Sequence, residues 1–182
     1  MSAPLDSLIQ LVSLGAAVAM SDRNDSDNMS TRVPQYEMAI QAYSILPWPN
    51  VHMRSGLRLG MEGAADESHP LSLEVKESGT RFALESGVVL DGPLLPSASI
   101  QALVLRRSLE LDTHGTSIVL TPQSKRTEWL FGGAFQVGLG IPIQGGRVLL
   151  EPFYRVLVIP SDVRQSSQWG GEVSWAFDEL KQ

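Results

Sequence analysis

The stretch VHMRSGLRLGME, residues 51–62, places Val51, Met53, Ser55, Leu57, Leu59 and Met61 at one set of alternate positions. His52, Arg54, Gly56, Arg58, Gly60 and Glu62 fill the other set. A period of two sends successive side chains to opposite faces of an extended chain, whereas a helix would scatter the same residues around its circumference. WLFGGAFQVGLGI at 129–141 repeats the pattern, with Trp129, Phe131, Gly133, Phe135, Val137, Leu139 and Ile141 opposite Leu130, Gly132, Ala134, Gln136, Gly138 and Gly140. RVLLEPFYRVLV at 147–158 does so again, with Pro152 as a local irregularity because proline has no N–H to give a strand ladder.

Working outward from these three, the chain holds eight alternating stretches, at roughly 6–19, 33–46, 51–62, 80–91, 98–112, 127–141, 147–158 and 167–178. The connections are by turns long and short. The tight ones carry Pro47, Pro49 and Asn50, then Gly92 and Pro93, then Gly145 and Gly146; the long ones are polar and charged, as in SDRNDSDNMSTR at 21–32. In an up-and-down barrel alternate connections share one end, so this rhythm predicts short turns at one rim and long loops at the other, as in barrels that span an outer membrane.

Alternation alone does not say which face points inward; volume does. The polar face combines Arg54, Arg58, Arg81, Arg106 and Arg155 with Glu37, Glu62, Glu85, Glu110, Glu151 and Glu172, interleaved with Gly15, Gly56, Gly60, Gly87, Gly132, Gly138 and Gly140. Small residues among charges of both signs suit the narrow interior of eight strands, where side chains fill the space. The opposite arrangement would crowd Trp129, Phe135, Leu139, Tyr154, Trp175 and Phe177 into it. The expected fold is therefore all-β: an eight-stranded antiparallel up-and-down transmembrane β-barrel, with those charges as a lumen network and pairs such as Arg58 with Glu151 or Arg155 with Glu172. Buried charges persist when paired, so a structural plug is expected ahead of a conducting, porin-like pore. Arg107 fits neither face, since Leu103, Leu105, Leu109 and Leu111 place it toward lipid, where an arginine near the rim could meet a lipid phosphate. A bulge between Arg106 and Arg107 is the other explanation. Tyr36, Phe82, Trp129 and Trp169 fall near the long-loop end of the apolar face and Trp48 and Phe177 near the other, an aromatic girdle at both rims.

Composition bounds the rest. A length of 182 residues suits one domain, read as 1–182 with residues 178–182 a short periplasmic tail. No run of about 18 apolar residues offers a transmembrane helix. Cysteine is absent, which removes disulfides, thiolate metal sites and thiol catalysis, and a net charge of −6 argues against a nucleic-acid partner. Residues 8–19 could be a signal-peptide hydrophobic region ending at Ala17-Val18-Ala19, but Asp6 precedes it without a basic residue and its removal would leave seven strands. It is read as the first strand, with a start methionine in place of a natural export signal.

Catalytic groupings are sparse. Among the three histidines, His52, His69 and His114, the candidate clusters are Asp66-Ser68-His69 and Asp112-His114-Thr116, and adjacency in a polar loop does not place a base within reach of a nucleophile. The loop residues Asp22, Asn24, Asp25 and Asp27 offer oxygen ligands for calcium but lack the glycine and distal glutamate of an EF-hand, so no metal or other cofactor is implied. In LSLEVKE, Leu71, Leu73 and Val75 alternate with Ser72, Glu74 and Lys76, which predicts a strand continuing past the membrane, either as an edge open to another protein or within a private hairpin.

Through its strand count, loop asymmetry and closing strands VGLGIPIQGGRVLLEPFYRVLVIP and WGGEVSWAF, the chain resembles the small eight-stranded outer-membrane barrels of the outer-membrane-protein-A and protein-X type. The resemblance implies residence in the bacterial outer membrane and contact with its lipid and lipopolysaccharide. It also implies insertion by the barrel-assembly machinery, which recognises a last strand ending in an aromatic. Phe177 would serve, although DELKQ follows it. The expected role is structural, anchoring, adhesive or accessory to an envelope complex, with a possible protein partner at the long loops and no enzymatic activity. The alternatives are a lipid-A-modifying enzyme, of the kind that uses His and Ser near the outer rim, and a soluble lipocalin-like carrier.

Overall fold

The computed structural model describes residues 11–24, 30–68, 73–113, 124–143, 148–160 and 166–177. Eight strands follow one another: β1 (Leu11–Asn24), β2 (Ser30–Ile45), β3 (Val51–Ser68), β4 (Leu73–Leu90), β5 (Leu95–Thr113), β6 (Ser124–Ile143), β7 (Val148–Val158) and β8 (Ser166–Phe177). Each pairs antiparallel with its neighbour in sequence, and β1 pairs with β8 from Val12↔Phe177 to Arg23↔Ser166, closing the barrel. No helix among the described residues is long and apolar enough to cross a membrane, which says nothing of strands.

Every strand sends alternate residues inward. On β2, Gln35, Glu37, Ala39 and Gln41 are buried while Tyr36, Met38 and Ile40 are exposed; on β6, Leu130, Ala134 and Gln136 are buried while Trp129, Phe131 and Phe135 are exposed. The polar face is thus the inside and the apolar face the outside, which excludes the soluble carrier. Apolar residues on β4 run from Phe82 to Leu90, interrupted outside only by Ser86. At about 3.4 Å per residue and a tilt of about 40° this covers roughly 20 Å, close to the hydrocarbon belt of such barrels.

The strands run further into the long connections than hydrophobic alternation indicates. β1 continues to Asn24, where Asp22 faces Arg32 across the ladder and accepts from its Nε at 3.1 Å. β3 through β6 rise furthest. Residues 66–68 of β3 pair with 74–76 of β4, and β4 in turn pairs with β5 as far as Leu73↔Thr113. Val75 therefore has a partner on each side, Glu67 and Leu111, and Leu73 pairs with Thr113, so the hairpin reading holds and the open-edge reading does not; Leu71 and Ser72 lie outside the described residues. Within the described pairing, β3 ends its ladder with β2 at Glu62, and β6 begins its ladder with β7 only at Gly133.

Two local features follow from residue chemistry. Asn50 closes the β2–β3 turn at φ 63, a left-handed conformation that asparagine tolerates better than most residues. Pro152 pairs with Gly171 on one side, while on the other the β6–β7 ladder passes from Gly138↔Phe153 to Ile141↔Leu150 without the positions between. The register is the same on both sides of that gap, so the missing N–H costs the ladder local pairing without shifting it.

Leu84 lies on the exposed apolar face, beside Leu57 and Ala102 and near the middle of the apolar run of β4. Leu84→Arg is expected to destabilise the folded barrel by about 2–4 kcal/mol in lipid vesicles, the cost of a midplane arginine. Heat-dependent gel mobility after refolding reads the effect, and unimpaired folding of the variant would overturn the face assignment.

Candidate functional site

Among the described residues, ionisable side chains converge in the lumen, which has a charged middle layer, an apolar wall toward the long loops and a cavity at the short turns. The middle layer holds Arg54, Arg58, Arg81 and Arg155 with Glu37, Glu85, Glu151 and Glu172, all buried. Four cations and four anions leave the layer neutral, which a low-dielectric interior demands.

Glu37 on β2 is the hub. Arg155 reaches it in a two-point contact, Nη1 to Oε1 at 2.6 Å and Nη2 to Oε2 at 3.0 Å, while Arg81 contacts the same carboxylate and Arg58 Nη1 stands 3.6 Å away. Arg58 donates from Nε to Glu85 at 2.5 Å and from Nη1 to Glu172 at 2.7 Å. Arg54 donates to Glu151 at 2.7 Å, and its Nη2 lies 2.9 Å from Glu85 as an ionic contact without hydrogen-bond alignment. The pairs suggested by sequence are replaced: Glu151 goes to Arg54, Arg58 to Glu85 and Glu172, and Arg155 to Glu37. Which charges meet depends on the stagger of strands around the closed wall, and alternation within one strand carries no information about it.

Neutral side chains complete the layer. Gln136 Oε1 accepts from Arg155 Nε at 2.9 Å and Nη2 at 2.7 Å, and Gln168 Oε1 accepts from Arg81 at 3.2 Å and Arg155 at 3.1 Å. Gln41 donates to Glu172 at 3.0 Å and Ser97 to Glu151 at 2.7 Å. These glutamines escaped the charge-based reading, although their inward parity beside Arg and Glu is visible in the sequence. Glycines make the room. A Cβ at Gly15 would meet Glu172 Oε1 at 2.6 Å, and one at Gly138 would collide with the Glu151 carboxylate. The Arg155 guanidinium also stacks over the Phe153 ring, 4.8 Å from its centroid.

Toward the long-loop end, the wall formed by β4–β7 turns apolar: Ala83, Leu103, Leu105, Leu130, Ala134, Leu157 and Ile159 form one buried cluster. This corrects the reading of β5. Ser97, Ser99, Gln101, Leu103, Leu105 and Arg107 all point inward and Arg106 outward, with an uninterrupted register to β4 and β6 and hence no bulge. Apolarity alone points Leu103 and Leu105 to lipid, but a lumen can be apolar where several walls supply leucine; the side chains of Leu109 and Leu111 lie outside the described residues. Arg107 accordingly lies inside, its Nη1 3.7 Å from Glu128, and Arg106 is not part of the lumen charge network. Glu62 is half-buried near the long-loop end and accepts from Gln35 Nε2 at 2.5 Å. The side chain of Glu110 lies outside the described residues.

At the short-turn end, a cavity of about 330 Å³ is lined by Ser13, Tyr43, His52, Val89, Asp91, Leu95, Pro142, Leu149, Ser174 and Ala176. His52 Nε2 and Asp91 Oδ2 are 2.7 Å apart there. The girdle residues Tyr36, Phe82, Trp129 and Trp169, and Trp48 and Phe177 at the opposite end, are all exposed on the outer wall. Trp175, also exposed and paired with Val148 near the short turns, adds to the second group. Of the candidate catalytic and calcium residues, His69, His114, Thr116, Asp25 and Asp27 lie outside the described residues, as do the side chains of Asn24, Asp66, Ser68 and Asp112.

Glu37 answers three arginines and Glu151 one. Glu37→Gln is expected to cost about 3–5 kcal/mol of unfolding free energy, as for a broken buried pair, and Glu151→Gln less. Urea titration in detergent micelles measures both, and the reverse order would remove Glu37 from its central place.

No protein-family model matches the chain, and no curated protein matches it in sequence. Its backbone is similar to solved structures. Neisserial surface protein A superposes with a TM-score of 0.61 at 13% identity, covering 91% of this chain and 97% of that one. Ail, the attachment invasion locus protein of Yersinia pestis, gives 0.62 at 10% identity over 92% of this chain and 99% of its own. The N-terminal β-barrel domain of Pseudomonas aeruginosa OprF gives 0.53 at 11%, covering 91% and 97%. Closed wall, inward charges and outward apolar belt together give this chain the fold of the small eight-stranded outer-membrane barrels.

Proposed function

We propose that this protein is an integral protein of the bacterial outer membrane that works by anchoring and surface presentation, in adhesion, envelope integrity or as an accessory to an envelope complex. The observation that carries the reading is the contrast between a lumen crossed at mid-height by a buried charge network and the β3–β6 sheet raised above the barrel wall. Beyond Arg106, β5 continues through residues 107–113, roughly 20 Å along the strand. Read as a plug, the charge network suits an anchor better than a channel, and the raised strands are where a protein partner would dock. The likeness to a neisserial surface protein and to an attachment invasion locus protein supports the same direction. Insertion by the barrel-assembly machinery, with Phe177 ending the last described strand, belongs to this reading.

The reading is non-enzymatic. Of the three histidines, His52 faces Asp91 at the short-turn end, and His69 and His114 lie outside the described residues.

The chain has no cysteine, so single cysteines report topology cleanly. In intact cells a membrane-impermeant maleimide is expected to label Arg126→Cys in the raised sheet and not Pro49→Cys in a short turn; the opposite pattern would reverse the barrel's orientation. Planar-bilayer recordings are expected to show no unitary conductance steps from the refolded protein, and a steady open current would replace the anchor by a pore.

A further inference from the structure

Outward-facing residues change character along one hydrogen-bonded row that crosses β2 to β6. Going toward the long loops, β4 passes from Phe82 to Thr80 and Ser78, β5 from Val104 to Arg106 and Ser108, and β6 from Phe131 to Trp129 and Thr127. The register puts these changes side by side: Thr80 pairs with Arg106 and Arg106 with Trp129, while Ser78 pairs with Ser108 and Ser108 with Thr127. The row continues through Met61 to Tyr36 on β3 and β2. It marks the upper boundary of the apolar belt, where aromatic rings sit at the headgroup level.

Arg106 occupies this boundary without an ion-pair partner among the described residues. It lines an open notch of about 330 Å³ together with Met61, Glu62, Ser78, Gly79, Thr80 and Ser108. The acid at the notch, Glu62, is engaged by Gln35 Nε2. Gly79 and the short side chains of Ser78, Thr80 and Ser108 leave the guanidinium accessible from the membrane side. A planar, permanently charged donor ringed by hydroxyls suits a phosphate, and Met61 and Trp129 give the adjoining wall an apolar surface for acyl chains.

We propose that this notch binds the phosphorylated headgroup of an outer-leaflet glycolipid of the lipid A class, with Arg106 as the principal phosphate ligand and Ser78, Thr80 and Ser108 as hydroxyl donors. The inference rests on the outer-membrane reading and adds to it a defined site on the barrel's outer wall. An exposed arginine at the edge of a hydrocarbon belt is then a recognition element, positioned so that the lipid carrying the phosphate also packs on the apolar wall below.

The test uses the full chain refolded in detergent micelles, with folding verified first by heat-dependent mobility. Diphosphorylated lipid A, and the same lipid with its phosphates removed, are titrated against the wild type, Arg106→Gln, Arg106→Lys and, as a control at another rim position, Arg126→Gln; native mass spectrometry reads bound lipid. The wild type is expected to prefer the phosphorylated lipid, Arg106→Gln to lose about tenfold or more in affinity for it, as for a charged hydrogen bond, Arg106→Lys to lose less, and Arg126→Gln to stay near wild type. Equal binding by Arg106→Gln in a folded barrel, or binding indifferent to the phosphates, would overturn the site while leaving the membrane reading intact. Displacement by millimolar inorganic phosphate alone would reassign the notch to a free anion and overturn the lipid assignment. A chain that folds only without detergent would instead defeat the membrane reading on which the site depends.

Discussion

Hydrocarbon offers no hydrogen bonds, so a chain that crosses it in extended form has to pair every backbone N–H and C=O with itself. The β1–β8 ladder meets this requirement. Without it, two long strand edges would stand in lipid; with it, eight strands of modest individual stability become one closed wall. Closure also forces the separation of faces. Once the wall is closed, each residue is committed to lipid or lumen by its parity, and the small interior must be filled from the inward set alone.

The filling shows how that commitment is met. Arginine and glutamate side chains are long enough to cross a narrow lumen, and they are tolerated there because the layer is neutral and its members are held by several partners each. Arg155 makes this concrete, with contacts to Glu37, Gln136 and Gln168 from three other strands. The network thereby ties together walls that are distant around the barrel, while backbone ladders join only neighbours. Gly15 and Gly138 provide the space that lets Glu172 and Glu151 reach across. The two ends of the lumen differ: leucines and alanines fill the β4–β7 wall toward the long loops, and a cavity beside His52 and Asp91 remains at the short turns.

The buried charges of the middle layer engage one another, so the surfaces open to a partner lie on the outer wall and at the rims. Two exterior features stand out physically, the raised β3–β6 sheet and the belt edge where Arg106 interrupts an apolar surface. Both lie on the same sector of the barrel, so a lipid held at the belt edge would border the base of the raised strands.

The sequence by itself determined the strand number and the inward face, because a period of two and a narrow interior leave one arrangement in which large aromatics have room; of the expected long connections the strands themselves take up most of two, leaving five residues between β1 and β2 and four between β3 and β4. It also placed eight of the lumen charges, Glu37, Arg54, Arg58, Arg81, Glu85, Glu151, Arg155 and Glu172, since ionisable residues at inward parity have nowhere else to go. Tertiary structure alone decided the pairing among them, because contacts across the lumen depend on the stagger of strands far apart in sequence. It also decided the parity of the upper part of β5. Leu103 and Leu105 read as lipid-facing by composition, yet the unbroken register from Ser97 and Ser99 carries them inward and turns Arg106 out. Apolarity specifies burial from water, and in a membrane barrel both lipid and lumen provide that; only the register of a strand with its neighbours says which of the two a given leucine has taken.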